Sequence, residues 1–358
     1  MHPHHERARR LARALPESIE ALLVTDSRNV RYLTGFTGSN GALLVFRDIP
    51  PVVSTDSRYL VQIAAQSPDL ECVDARDPAA ALAARAAAEG VGQLGVEATD
   101  VTLAQRERLV SAVAGAAELV AVTGLVEGLR CVKDGPEIAV LSRACAITDL
   151  AFADLLGSLR PGVSEREAAW MLETSVRAHG GDGMAFDSIV AFGPNSAIPH
   201  HEPSDRPCAR GDLVKVDFGA KVDGYHADMT RTIAVPPVAD WQRDLHAVVF
   251  AVQETCRAAT VVGARPAELD ALARREIEAA GHASTHGLGH GVGLAIHEAP
   301  FLTASSTADR LVAHVPVTIE PGVYLPGHGG VRIEDTVLLG SDGARALTTS
   351  PRELIELG

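Results

Sequence analysis

Two aspartates set into an otherwise apolar hairpin constrain this chain more than any other feature. The strand Leu213-Val214-Lys215-Val216-Asp217-Phe218-Gly219 leads to Asp223-Gly224 and returns as Tyr225-His226-Ala227-Asp228-Met229-Thr230-Arg231-Thr232. An Asp-Gly pair suits a type I′ hairpin turn. With those two residues as the loop, Asp217 lies opposite Thr230 and Asp228 sits diagonally across on the same face; a shift of one residue sets the aspartates directly opposite each other. Either register converges two carboxylates. A lone strand aspartate usually faces solvent, but Val214, Val216 and Phe218 mark a buried sheet. Two unneutralised carboxylates repel each other there, and a bound cation is the simplest resolution.

A second hairpin repeats the theme. Thr318-Ile319-Glu320-Pro321-Gly322-Val323-Tyr324 and Gly330-Val331-Arg332-Ile333-Glu334-Asp335-Thr336 flank a Gly-rich loop at 326–329. Alternation with period two puts Arg332 and Glu334 on one face and Val331 and Ile333 on the other, and Glu320 can face Glu334 across the loop. Standing alone, this hairpin would read as a surface with an Arg332 to Glu334 ion pair. Between the two hairpins, however, runs a glycine-rich stretch carrying His286, His290 and His297. It lacks the Lys-Ser/Thr of a P-loop and the spacing of a dinucleotide fingerprint, so its glycines read as letting the backbone approach a crowded centre. Two Asp, two Glu and one His carry four negative charges, which matches two divalent cations in a carboxylate-rich site. The oxygen-dominated donor set favours Mn²⁺, with Co²⁺ or Zn²⁺ as alternatives.

The chain has 358 residues, room for about two domains of roughly 150 residues. Residues 21–25, 42–46 and 52–55 read as strands and 79–89 as a helix, an α/β pattern. It ends near residue 130, where Lys133-Asp134-Gly135-Pro136 precedes a long helical pattern beginning at Glu137. The expected domains are therefore 1–130 and 131–358. The second carries a faint repeat over roughly 137–235 and 240–340, each copy a long helix, a Pro/Gly turn, a second helix and a hairpin. In the first copy Ser164 and Glu167 form a capping box after Arg160-Pro161-Gly162-Val163; in the second, Gly263-Ala264-Arg265-Pro266 precedes a helix at 267–280. A duplicated unit places its two hairpins side by side about a pseudo-twofold axis, with a site between them.

Composition narrows the partners. A net charge of −14 disfavours nucleic acid and anionic membrane surfaces, and no apolar run approaches the ~18 residues of a membrane span. The basic stretch at residues 1–10 has no apolar core behind it, unlike a secretory signal, so a cytoplasmic location is expected. His2, His4 and His5 are expected to be disordered. Cys72, Cys131, Cys145, Cys208 and Cys256 are scattered without a CxxC pair, against a disulfide framework or thiolate zinc site, and read as small buried hydrophobes.

With these residues in view, the chain resembles the Xaa-Pro peptidases of the creatinase, or pita-bread, family of metallopeptidases. The resemblance covers nearly the whole length. It is carried by Gly193-Pro194-Asn195-Ser196 through Pro199-His200, Val216 to Ala220, Asp228 to Thr232, His286 to Gly291, Ile319 to Tyr324 and Val331 to Asp335. In the first domain, Asn29 to Ser39 and Thr55 to Tyr59 are similar to the Xaa-Pro peptidase branch and separate it from single-domain methionine aminopeptidases. The resemblance implies a creatinase-like α/β domain followed by a pita-bread domain. It also implies that Asp217, Asp228, His290, Glu320 and Glu334 hold two metals, with Asp228 and Glu334 bridging. No ligand position is substituted, unlike in relatives that share the fold but have lost the metals.

By the same resemblance His200 helps to stabilise the tetrahedral intermediate, His297 lies near the substrate carbonyl, and His286 and Arg332 are further active-site residues, Arg332 orienting a ligand carboxylate. The implied reaction is attack of a metal-bridging hydroxide on the carbonyl before proline, with Glu320 as proton shuttle. If the segment is extended, His201 points the opposite way from His200 and reads as a bystander. The substrates expected are peptides with proline second. The block Gly35 to Ser39 favours an aminopeptidase acting on longer peptides, with a dipeptidase (prolidase) as the alternative and a peptide-binding pseudoenzyme as a remote one. Family members are commonly homodimers, and the same is expected here.

Overall fold

The computed structural model describes residues 3–341 and 343–357, and His2 lies outside them. The chain divides between Arg130 and Cys131 into two compact units.

The first unit is built on strands β1 (Ala21–Val24), β2 (Gly41–Phe46), β3 (Val52–Thr55), β4 (Glu71–Asp74), β5 (Gln93–Glu97) and β6 (Glu118–Val122), in the order β4-β3-β2-β1-β5-β6. β2 runs antiparallel to both its neighbours and the other pairings are parallel. Its helices are α1 (Pro3–Ala14), α2 (Ser27–Thr34), α3 (Leu60–Gln66), α4 (Pro78–Ala88), α5 (Leu103–Val113) and α6 (Leu125–Cys131). Leu23, Leu44 and Leu94 of the sheet pack with Leu82 and Ala86 of α4 and Leu109 of α5. Helix α4 begins one residue before the expected start because Asp77 caps it through the Ala80 amide. The expectation that His4 and His5 are disordered is corrected: both lie in α1, where Ala8 and Leu11 are buried. His4 Nδ1 is 2.9 Å from the Tyr32 carbonyl oxygen and His5 Nε2 is 3.1 Å from Asp69 Oδ2. The Asn29 block has a structural job, since Asn29 Nδ2 donates to Glu97 and Glu127 and its Oδ1 accepts from Arg130.

The second unit opens with the hairpin of helices α7 (Gly135–Ser158) and α8 (Glu165–Ala178). Asp134 and Ser164 cap them with the reciprocal bonds of capping boxes, so the Ser164 box is observed as read. Strands β7 (Gly183–Met184), β8 (Ile189–Phe192), β9 (Leu213–Phe218), β10 (Ala220–Val222), β11 (Tyr225–His226) and β12 (Met229–Ala234) follow. A second helical pair, α9 (Asp240–Ala259) and α10 (Pro266–Ala279), leads to β13 (Gly289–Gly291), β14 (Glu298–Leu302), β15 (Pro316–Ile319), β16 (Gly322–Leu325), β17 (Gly329–Arg332), β18 (Asp335–Gly340) and β19 (Gly343–Ala346). The order helix, turn, helix, strands thus occurs twice. Each copy has its own core: Leu141, Phe152 and Leu172 pack on Val214, Val216 and Phe218, while Leu245, Val249 and Ile277 pack on Val317, Ile319 and Val337. The sheets run β12-β9-β8, β11-β10-β7, β14-β13-β15-β18-β19 and β16-β17.

Register decides where the carboxylates go. Val222 pairs with Tyr225 across Asp223-Gly224, both of which have positive φ (44° and 72°), and Asp217 pairs with Thr230. Of the two registers open in the sequence, this is the diagonal one. In the second hairpin Ile319 pairs with Asp335 and Gly322 with Arg332, which sets Glu320 across from Glu334. Cys145, Cys208 and Cys256 are buried, but Cys72 is exposed on β4 at the sheet edge, which corrects the expectation of five buried thiols. Among the described residues no helix is long and apolar enough to cross a membrane.

Candidate metal centre

β9 and β12 deliver Asp217 and the residue before Met229, Asp228; β13 delivers His290; the ends of β15 and β17 deliver Glu320 and Glu334. All five, with His200, His286, His297 and Arg332, line one cavity of about 680 Å³, so the structure brings together every site residue read from the sequence. Its apolar wall includes Phe186, Ile189, Ile296 and Phe301.

One ligand atom from each of Asp228, His290 and Glu334 lies within 4.8 Å of the others. His290 Nδ1 is 3.0 Å from the Gly291 carbonyl oxygen and donates to it, which leaves the Nε2 lone pair facing Asp228 Oδ2 at 3.5 Å and Glu320 Oε1 at 3.4 Å. Burial, and then the neighbouring His297 at 4.4 Å between ring centroids, pushes the His290 pKa down to about 4, so the ring is neutral. Burial raises the carboxyls of Asp228 and Glu334 well above the ordinary range, and the surrounding carboxylates raise them further. Asp217 Oδ2 accepts from Arg332 Nη2, while its buried Oδ1 has no hydrogen-bond partner among the described residues. Facing carboxylates, a neutral imidazole and an orphaned carboxylate oxygen are a donor set that divalent cations fit.

The surrounding residues fix the donors. Thr230 Oγ1 donates to Glu334 Oε2 at 2.6 Å and accepts from Arg332 Nε at 3.1 Å. Tyr324 Oη accepts from Arg332 Nη1 at 2.8 Å and lies 3.0 Å from His286 Nε2; with His286 Nδ1 donating to the Gly287 carbonyl, Nε2 accepts from the phenol. Buried Lys133 donates to Glu298 at 2.6 Å, beside His297. Neither Thr230 nor Tyr324 was singled out from sequence. Each carries a signal there: Thr230 is the register partner of Asp217, and Tyr324 lies four residues from Glu320, in phase with period-two alternation.

Two family models match this chain: metallopeptidase family M24 over residues 139–341 and the creatinase/prolidase N-terminal domain over 5–132. The chain belongs to metallopeptidase family M24. It is a hydrolase of mixed α/β fold, and the expected pita-bread architecture is borne out by solved structures. A Xaa-Pro dipeptidase from Bacillus anthracis superposes with a TM-score of 0.94 at 38% identity, covering 99% of this chain and 100% of that one. An X-Pro aminopeptidase from Thermotoga maritima gives a TM-score of 0.89 at 33% identity, covering 97% and 99%. A Xaa-Pro dipeptidase from Pyrococcus furiosus is 41% identical over 235 residues, 64% of this chain and 67% of that one.

Proposed function

We propose that this M24 metallopeptidase is a Xaa-Pro dipeptidase in which Asp217, Asp228, His290, Glu320 and Glu334 would hold two divalent cations, Mn²⁺ by preference. The observation that carries the reading is the convergence of these five donors in one cavity, with Asp217 Oδ1 buried and unpartnered among the described residues. Bound there, the cations supply Lewis acidity and an activated water. Glu320, whose carboxyl burial raises, takes a proton on a carboxylate oxygen and returns it to the proline nitrogen as the bond breaks. His200 and His297 donate to the oxygen that becomes negative. Arg332 holds Asp217 and, through Tyr324, the ring of His286. Proline explains the specialisation: its amide has no N–H and its φ is fixed, so sites that grip substrate backbones by hydrogen bonds handle it poorly.

The names of the relatives from Bacillus anthracis and Pyrococcus furiosus support dipeptides as substrates. The Thermotoga maritima likeness and the Gly35 to Ser39 block support the second reading, an aminopeptidase. A mass-spectrometric time course of metal-stripped protein resupplied with Mn²⁺, given equimolar Ala-Pro and Ala-Pro-Ala, separates them. Cleavage of Ala-Pro alone is expected. Release of Pro-Ala would replace the first reading by the second, and no metal-dependent cleavage of either would overturn both. We further propose a cytoplasmic homodimer, which light scattering at micromolar concentration tests.

A further inference from the structure

His200 reaches the cavity on a ring that makes no hydrogen bond of its own among the described residues. Its neighbours set its position. On one side, Lys215 Nζ donates to the carbonyls of Ile198 (2.5 Å) and Pro199 (3.2 Å), and Arg332 Nη1 also donates to Pro199 (3.2 Å). On the other side, His201 Nε2 lies 2.8 Å from Glu165 Oε2. Glu165 is fully buried in the first turn of α8, where its Oε1 accepts from the Phe192 amide and Asn195 Nδ2 and its Oε2 from the Ser204 amide and hydroxyl. Burial pushes this carboxyl up, but the donors outweigh it and hold the pKa below the ordinary value, so the group is a carboxylate and His201 Nε2 is its donor. One carboxylate therefore ties residues 192, 195, 201 and 204 to α8.

We propose that Glu165 and His201 are positioning residues for His200: Pro199 and His200 lie in a turn rather than in extended backbone, and with the carbonyls of Ile198 and Pro199 held before His200 and the ring of His201 held by Glu165 after it, the chain is pinned on both sides of His200, which fixes the direction in which its ring projects into the cavity that both histidines line. His201 is then no bystander. The proposal rests on the reading that His200 serves hydrolysis at this cavity.

The test compares His201→Ala and His201→Gln, each alone and with His200→Ala, on the metal-loaded full chain. His201→Ala should lower kcat by about tenfold to a hundredfold with KM little changed, the scale of a misdirected catalytic group. His201→Gln, whose Nε2 still reaches Glu165, should recover most of the loss. In the His200→Ala background, His201→Ala should have almost no further effect on kcat. Ring signals of His200, assigned by their loss in His200→Ala and followed by histidine NMR on Zn²⁺-loaded protein, should broaden or shift in His201→Ala and return in His201→Gln. Equal losses of kcat in both backgrounds, or His200 signals unchanged by His201→Ala, would overturn the proposal. Failure of the wild type to cleave any Xaa-Pro peptide would instead remove the functional reading, and the NMR comparison still decides whether His201 positions His200.

Discussion

Asp228 concentrates the electrostatic conflict of the molecule, for it is buried beside Glu334, Asp217 and Glu320 and is opposed by the charge of Arg332. Without cations, the folded protein answers by holding protons on Asp228 and Glu334 that the unfolded chain releases near pH 4. Because these folded-state values are raised, the folded state binds more protons than the unfolded one above that pH. The stability they contribute is complete below about pH 4 and is lost as pH rises. Asp228→Asn removes one of the conflicting groups and one metal donor. Metal-stripped Asp228→Asn should therefore melt about 2–6 °C above metal-stripped wild type at pH 8, with a smaller gap at pH 5. Added Mn²⁺ should raise the wild-type Tm and leave the variant nearly unmoved. Scanning calorimetry checks each point, and a gap that widens toward pH 5 would contradict the account.

At the scale of elements, two glycines allow the strands to deliver their donors. A Cβ on Gly219, between β9 and β10, would lie 1.7 Å from the Ala227 carbonyl oxygen, and one on Gly289 of β13 would lie 2.0 Å from that of Thr318. Both obstacles are backbone. Gly219→Ala and Gly289→Ala should each cost about 2–4 kcal/mol in urea unfolding and lower the bound metal measured by mass spectrometry. Gly128→Ala in α6, with nothing within 4 Å of the added carbon, should be neutral or stabilising. The same hairpins were the most legible part of the chain. Asp223-Gly224 names its own turn, and counting outward from it puts Thr230 opposite Asp217, as observed. What the sequence could not display were bonds between residues a hundred positions apart, such as Thr230 to Glu334 or Lys133 to Glu298. The partner of His201 was out of view for the same reason, since Glu165 lies 36 residues away on α8. The α1 segment had a visible apolar spacing, Ala8, Leu11 and Leu15, all buried, beneath histidines that drew attention to chain-end disorder.

For the whole molecule, the two compact units have separate cores, and the candidate metal donors all belong to the second. A ligand that binds only the folded state stabilises the unit that holds it, by about 2.7 kcal/mol at a hundred times its Kd. The two tryptophans, Trp170 and Trp241, also lie in the second unit, so tryptophan fluorescence reports that unit alone, whereas far-ultraviolet circular dichroism reports both. In urea titrations of metal-stripped protein, added Mn²⁺ should move the fluorescence midpoint upward. The circular dichroism curve should separate into a metal-dependent part that follows fluorescence and a part, from the β1–β6 unit, whose midpoint does not move. If both probes shift together by the same amount, the units unfold as one cooperative body and the metal stabilises the whole chain. If neither probe shifts with Mn²⁺, Co²⁺ or Zn²⁺, the carboxylate cluster does not hold a cation in the folded state, and the proposed chemistry fails with it.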